Sequence, residues 1–195
     1  VFKKNLINYN NFYQSYFLNK IYNLPLIDAK IAISKDYYTI NKKNNWITNS
    51  YSRNRGHLIR SSYDSIISTS KSINEDNSLL NCRLKGFDNN KPDLIIIDLQ
   101  LKIKTNLNLF NLSKKRKIII VTSIVKNKKN SYLKKRGIKF INIKSLDNKN
   151  DFLYLFTVLK SKGYYRILIE SGLIFLNELL KNKLIFNLYL FKSSI

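Results

Sequence analysis

Sulfur-containing and turn-forming residues are scarce in this chain of 195 residues, which has 1 cysteine, 1 histidine, 2 prolines, 5 glycines and no methionine. A single cysteine excludes a disulfide framework within the chain. One cysteine and one histidine also cannot supply a Cys/His zinc site on their own. The free thiol favours a reducing, cytoplasmic setting.

Long apolar runs are also absent. The longest, at 94–97 and 118–121, are far shorter than the roughly 20 residues needed to span a bilayer. Residues 1–27 place lysines among aromatic residues and asparagines, without the apolar core and cleavage site of a secretory signal. We interpret 1–27 as an N-terminal arm or interdomain linker, with an organellar transit segment as the alternative.

Acidic residues are few: 12 Asp and Glu stand against 35 Lys and Arg, which gives a formal net charge of +23. Such a charge ordinarily favours nucleic acid as the partner. Here the lysines scatter through every segment, and the abundance of Asn, Lys, Ile, Tyr and Phe is typical of genomes rich in A and T codons. Nucleic-acid binding is therefore the less favoured interpretation, and we interpret the charged runs at 41–45 and 126–130 as solvated turns.

Strand-like and helix-like segments alternate along the chain. Three strand segments are nearly all apolar, which is typical of strands buried on both faces. The order predicts an α/β fold with a mostly parallel central sheet flanked by helices. The predicted strands are 30–34, 65–68, 94–98, 117–122, 138–143, 165–169 and 184–191, and the predicted helices are 50–62, 151–161 and 172–182.

Helical spacing also predicts which side chains face the core. The first helix is expected to start at Asn49 or Ser50, both of which are good N-cap residues. The expected inward residues of the three helices are Leu58 and Ile59; Phe152, Leu155, Phe156 and Leu159; and Leu173, Leu176 and Leu180.

Residues 46–83 contain the clearest sign of a ligand site, because a tryptophan, an arginine-rich helix, a serine-rich turn and an aspartate follow one another. A guanidinium stays charged and can bind two phosphate oxygens at once. The window therefore indicates a phosphate and nucleotide pocket. From the residues alone, Arg60 is more simply a solvated helix residue. A core tryptophan is the alternative for Trp46, a helix or turn cap is the alternative for Asp76, and a packing role in the first strand is as good an interpretation of Ala32.

Seven segments occur in an order that resembles a known enzyme family. They are KIAISKD, NWIT, RNRGHLIRSSYD, SINEDNSLLNCRLKG, PDLIIID, RILIESG and LYLF. Together they resemble the reductase half of the bacterial bifunctional riboflavin-biosynthesis deaminase/reductase, over roughly residues 24–192. The resemblance implies a dihydrofolate-reductase-like domain at 28–195 that stops before the family's last strands and leaves an unpaired sheet edge. It also implies NADPH-dependent reduction of 5-amino-6-(5-phosphoribosylamino)uracil to the ribitylamino form in riboflavin biosynthesis.

The resemblance assigns residues to a cofactor site and a substrate site. Lys30 and Glu170 are the implied catalytic residues: Glu170 approaches the substrate, and Lys30 is expected to pair with Glu170 or to polarise the sugar oxygen. His57 is interpreted as a polar surface neighbour of the arginines. The residues implied for NADPH are Ala32, Trp46, Ser72, Asp76 and Gly172, and those implied for the substrate are Asn44, Arg60, Leu80, Arg83 and Glu170.

Several positions depart from the family pattern. Tyr37 replaces the glycine of a turn, Asn77 and Ser78 replace Asp and Pro, and Leu99 replaces a serine. The deaminase motifs are missing from these residues, and both a separate deaminase partner and a homodimer are left open. A degenerate, non-catalytic reductase domain is the main alternative, and the Val1 start would fit a fragment, an unusual start codon or a decaying gene.

Overall fold

A parallel β-sheet runs through the residues that the computed structural model describes, which are 11–39, 49–87 and 92–193. The strands found there are β1 (Leu26–Ile33), β2 (Ser65–Thr69), β3 (Asp93–Ile97), β4 (Ile118–Thr122), β5 (Lys139–Asn142), β6 (Arg166–Ile169) and β7 (Leu188–Lys192). The helices are α1 (Asn11–Tyr22), α2 (Ser50–Ser61), α3 (Ser70–Asp76), α4 (Lys128–Lys135), α5 (Lys149–Ser161) and α6 (Leu173–Lys181), with a 3-10 helix at Asn108–Leu112.

The strand order is β5-β4-β3-β2-β6-β1-β7, and every neighbouring pair is parallel. Parallel neighbours require crossover connections, which the helices supply. β6 lies between β1 and β2, so the order of the strands reverses there. Ligands of such sheets bind outside the carboxyl ends of strands at a reversal of this kind. The prediction of an α/β fold with a parallel sheet covered on both faces is confirmed.

Two apolar clusters cover the two faces of the sheet. Helices α5 and α6 pack on one face, and α3, α4 and the end of α2 pack on the other. β3 and β4 are buried along almost their whole length, as the apolar runs predicted. Each fully buried Leu, Ile or Phe contributes about 1.5–3 kcal/mol relative to exposure.

Some elements differ from their predicted form. β1 begins at Leu26, before the predicted start at residue 30, and β7 begins at Leu188, after the predicted start at residue 184. The serine-rich segment is helix α3. The run at 126–130 is only partly a turn, because α4 begins at Lys128 behind an Asn127 cap.

The inward faces of two helices also differ from prediction. α2 begins after the Asn49 cap as predicted, but it buries Gly56 and His57 while Leu58 is exposed. In α6 the buried residues are Leu176 and Leu179, whereas Leu173 and Leu180 are exposed. In α5 all the predicted inward residues are buried.

Alternation along β1 divides its side chains between the two sheet faces. Ile27, Ala29, Ile31 and Ile33 pack toward α5 and α6, and Asp28, Lys30 and Ala32 face the α2 side. Asp28 is fully buried, and its carboxylate accepts hydrogen bonds from the Tyr63 hydroxyl at 2.6 Å and from the Asn187 backbone and side chain, each at 2.9 Å. These bonds hold β1, the end of α2 and the start of β7 together beneath Lys30.

Candidate functional site

Three charged side chains meet at the carboxyl ends of β1 and β6. Arg60 of α2 pairs with Glu170, which follows β6, through Nε to Oε1 at 2.6 Å and Nη2 to Oε2 at 2.9 Å. Lys30 places its Nζ 3.9 Å from Glu170 Oε2, the pairing that the resemblance indicated. The Glu170 side chain is only 9% exposed, and those of Arg60 and Lys30 are 14% and 18% exposed.

The electrostatics of this cluster follow from burial and mutual charge. Burial alone would raise the pKa of Glu170, but the charge and hydrogen bonds of Arg60, with the charge of Lys30, hold it below its ordinary value. The pKa of Lys30 is lowered by burial, and Arg60 adds to that effect while Glu170 opposes it. Glu170 is therefore a stable carboxylate, and Lys30 is a lysine that releases its proton more readily than usual.

His57 lies inside the site, so its interpretation as a surface neighbour was wrong. Its side chain faces the segment after α3, and Nδ1 lies 3.0 Å from the carbonyl oxygen of Asn81. A carbonyl only accepts, so Nδ1 carries the proton and donates. Burial lowers the pKa of His57, and the charges of Arg60 and Arg83 lower it further, which favours the neutral ring.

Asn81 connects the arginines of the site. Its backbone carbonyl also accepts from Arg60 Nη1 at 3.2 Å, and its side-chain Oδ1 accepts from Arg83 Nη1 at 2.9 Å. Arg83 is exposed, whereas Arg60 directs most of its donors to Glu170 and Asn81. The two arginines are thus close to one another but differ in how much of the guanidinium faces solvent.

Leu80 contributes backbone rather than side-chain chemistry. It is buried, and its φ of 47° lies in the left-handed region that a leucine rarely adopts. Its carbonyl accepts a 2.7 Å hydrogen bond from Arg116, a buried residue just before β4.

A second group of predicted residues lies where β2 and β6 end. Ser72 is in the first turn of α3, which Thr69 caps, and its Oγ accepts a 3.0 Å hydrogen bond from the backbone N–H of Gly172. Gly172 is the N-cap of α6, where backbone N–H groups favour an anion. Asp76 ends α3 one turn beyond Ser72. Although much of the residue is exposed, partial desolvation of its carboxyl group raises its pKa, and the charge of Glu75 adds to that effect.

Ala32 and the turn after β1 lie at the same carboxyl-terminal side of the sheet. Ala32 is half-buried and pairs with Phe191 of β7, whose ring lies 5.2 Å from Lys30 Nζ. Tyr37 stands where the related family has glycine, and its φ of 68° is in the left-handed region. Lys192 lies 4.4 Å from the Tyr37 ring and donates to its hydroxyl, which offsets part of that strain.

Two predicted residues, Trp46 and Asn44, lie outside the described residues. Among the residues that are described, no group of His, Cys, Asp and Glu could hold a metal ion. No helix in the same ranges is both long and apolar enough to cross a membrane.

Sequence patterns missed several contributors to the site. Asn81 accepts hydrogen bonds at its backbone carbonyl, and Arg116 donates to the backbone carbonyl of Leu80. Contacts with backbone carbonyls leave no pattern in a sequence. Thr69 had a detectable signal, because a threonine immediately before a serine-rich segment is a good helix cap. Phe191 was predicted only as the end of the last strand, and its contact with Lys30 was not predicted.

Comparison with known proteins gives the class to which this arrangement belongs. The RibD C-terminal domain family matches residues 25–193, and the chain belongs to that family. No curated protein matches the chain.

Solved structures agree on the fold. RibD from Acinetobacter baumannii (form 2) has a TM-score of 0.76 and 20% identity, covering 93% of this chain and 50% of that one. The Thermotoga maritima deaminase/reductase has a TM-score of 0.71 and 19% identity, covering 86% and 45%. Riboflavin biosynthesis reductase Rib7 of Saccharomyces cerevisiae has a TM-score of 0.69 and 21% identity, covering 95% and 84%. The chain spans about half the length of the RibD chains that it resembles.

Proposed function

We propose that this chain is an NADPH-dependent reductase of 5-amino-6-(5-phosphoribosylamino)uracil. Family membership supports a reductase of the riboflavin pathway, and the name of the Thermotoga protein includes this reaction. The observation that carries the proposal is the cluster of Lys30, Glu170 and Arg60 beside the N-terminus of α6. The reaction needs two ligands to bind side by side, a sugar-phosphate substrate and an anionic dinucleotide. The charged cluster would bind the first, and the N-terminus of α6 would bind the second.

On the substrate side, the two arginines have different roles. Arg83 is exposed, and within the described ranges it donates to Asn81 from one nitrogen, so we assign its other donors to a phosphate. Arg60 is mostly enclosed by Glu170 and Asn81, and we assign it to orienting Glu170 and adding positive potential. The backbone at Leu80 and the side chain of Asn44 complete the proposed substrate site.

On the cofactor side, the described residues fit a dinucleotide phosphate. A β-carbon at Gly172 would lie 3.3 Å from Ser72 Oγ, a tight contact that the serine side chain would have to relieve, so glycine favours the close approach of α6 to α3. The N-terminus of α6 would face the pyrophosphate, with Ser72 and Asp76 beside it. Ala32 and Trp46 are proposed to line the nicotinamide.

The chemistry follows from the change that the substrate undergoes. Converting ribosyl to ribityl forms a C–H bond at the sugar carbon, breaks its bond to the ring oxygen and adds a proton to that oxygen. NADPH supplies the hydride when bound. Lys30 is suited to deliver the proton, because its pKa is lowered, and Glu170 holds the ammonium in place.

The purified chain should oxidise NADPH only when the ribosylamino substrate is present, as nicotinamide absorbance would show. NADPH alone should raise the melting temperature, because a ligand that binds only the folded state stabilises it. If neither oxidation nor a melting shift occurs, the chain is a degenerate reductase domain. Adding a separate deaminase protein tests in the same assay whether the two steps are coupled.

Arg83→Ala should raise KM for the phosphate-bearing substrate about tenfold, with little change in KM for NADPH, because about 1.4 kcal/mol of charged hydrogen bonding is lost. Steady-state kinetics with both ligands would measure this. Arg55→Ala is the matched control, since Arg55 is an exposed arginine of α2. An equal effect from both variants would mean that general positive charge, rather than Arg83, holds the phosphate.

A further inference from the structure

Arg116 is a buried cation, and its hydrogen-bond partners among the described residues are all backbone carbonyls. The residue is 6% exposed and lies between the 3-10 helix and β4. Its Nη1 donates to the carbonyls of Leu80 at 2.7 Å and Pro92 at 3.1 Å, and its Nη2 donates to the carbonyl of Leu79. A guanidinium can make these bonds together because its donors are fixed in one plane.

The charge of Arg116 is not matched by an adjacent carboxylate within the described residues. Asp93 is the acidic group that acts on it, and it does so through space while its own oxygens accept from Lys117 and Tyr164. Burial, aided by the charge of Arg60, lowers the pKa of Arg116 to about 10. Burying a cation in this way is costly unless hydrogen bonds compensate, and the three carbonyls supply that compensation.

The segment held by Arg116 is strained where it meets the site. Leu80 has a left-handed φ of 47°, a conformation that persists only when its surroundings hold it. The carbonyl that Arg116 binds at Leu80 shares a peptide plane with the N–H of Asn81. The orientation of Asn81 therefore depends on the bond from Arg116.

Asn81 in turn accepts hydrogen bonds from three residues of the site. Its carbonyl receives Arg60 and His57, and its side chain receives Arg83. A rotation of this residue would displace the donors of both arginines at once. Displacements of about 1 Å at a bound ligand can cost about a hundredfold in rate.

We infer that Arg116 is a positioning residue, which holds Leu80 and Asn81 so that Arg83 faces the substrate's phosphate and Arg60 keeps its contact with Glu170. The inference rests on the proposed function for the identity of the ligand. The three hydrogen bonds from Arg116 to the carbonyls of Leu79, Leu80 and Pro92, which we call the clamp, are a property of the fold. Their effect on Asn81 can be tested without turnover.

The single histidine of the chain gives a direct reporter of the clamp. His57 donates to the Asn81 carbonyl, so its Nδ1 resonance in ¹⁵N NMR depends on where that carbonyl lies. Arg116→Lys should shift this resonance, because one ammonium cannot bind the three carbonyls in the same geometry. Arg136→Lys is the control: Arg136 also donates to a carbonyl, that of Thr105 at 2.9 Å, but away from the site. An unchanged His57 signal in Arg116→Lys would overturn the inference.

Kinetics then test the link to substrate. Arg116→Lys should raise KM for the phosphate-bearing substrate about tenfold and leave KM for NADPH nearly unchanged. A fall in kcat alone, or equal changes in both KM values, would also overturn the inference. If the wild-type chain does not oxidise NADPH, the proposed function fails, whereas the His57 measurement still decides whether the clamp exists.

A third variant covers the case in which Arg116→Lys does not fold. Leu80→Gly allows φ of 47° without strain. The double variant Leu80→Gly/Arg116→Lys should then regain a folded circular dichroism spectrum and a cooperative melt. If the double variant is no more folded than Arg116→Lys, Arg116 does not act by holding Leu80, and the inference fails.

Discussion

Glu170→Gln is expected to lower the free energy of unfolding by about 3–5 kcal/mol and to remove most of the reductase activity. The substitution keeps the shape of the side chain but leaves Arg60 and Lys30 buried without their shared counter-charge. Breaking a buried pair on one side costs this much because the remaining charge is uncompensated. Urea denaturation monitored by circular dichroism would measure the change in stability.

Glu178→Gln is the control for that prediction, since it removes one carboxylate from an exposed pair with Lys181. Its effect should stay below about 1 kcal/mol, as for other surface pairs. If the two glutamine variants are equally stable, the pair between Arg60 and Glu170 does not stabilise the fold.

The Glu170 pair should also make stability depend on pH. Because the pKa of Glu170 is lower in the folded state than its ordinary value of 4.5, the unfolded chain binds a proton first as pH falls. The pair therefore contributes fully above that value, and its contribution is lost as pH falls through the lowered folded pKa. In Glu170→Gln this part of the acid destabilisation should disappear.

Lys30→Met should lower kcat by about 10²–10⁴-fold, the usual contribution of a positioned proton donor, while NADPH binding remains. Methionine keeps a long unbranched side chain beside Phe191 but removes the proton and the charge. Stopped-flow measurement of NADPH oxidation with saturating substrate gives the change in kcat. In the wild type, activity should fall as pH rises through the lowered pKa of Lys30.

Lys139→Met provides the comparison, because Lys139 is an exposed lysine of β5 at the opposite edge of the sheet. Its kcat should match that of the wild type. A Lys30→Met enzyme with normal kcat would leave Lys30 only the role of balancing the charge of Glu170.

The fold was largely predictable, because burial leaves strong patterns in the sequence. The apolar runs of β3 and β4 and the spacing in α5 follow directly from the faces that these elements bury. α3 and α4 were not predicted as helices. Each is short and polar with few buried side chains, so its helical form depends on caps and on contacts from elsewhere in the fold.

The site was predictable only where residue type carries the chemistry. Lys30 and Glu170 were assigned through the resemblance, and the structure brings them together. His57 was misassigned because helical spacing alone does not say which polar residue faces the core. The roles of Asn81 and Arg116 depend on carbonyl directions, which no residue pattern records.

Tyr37 explains how a lost glycine can leave a turn intact. It takes the left-handed conformation that glycine adopts without strain, and Lys192 contacts both its ring and its hydroxyl. The turn beside Ala32 therefore forms with a tyrosine, although a left-handed tyrosine costs about 1–2 kcal/mol. The departure from the family pattern is compatible with a working site.

The position of β6 has a consequence for the order in which the sheet assembles during synthesis. Leu26 of β1 pairs with Arg166 of β6, and Ser65 of β2 pairs with Ile167 of the same strand. Both early strands thus leave the ribosome well before the strand that joins them, and Glu170 comes later still. Such distant pairings favour slow folding. β1 and β2 therefore stay unjoined until residues 166–169 have been made, and the contact between Lys30 and Glu170 forms only after that.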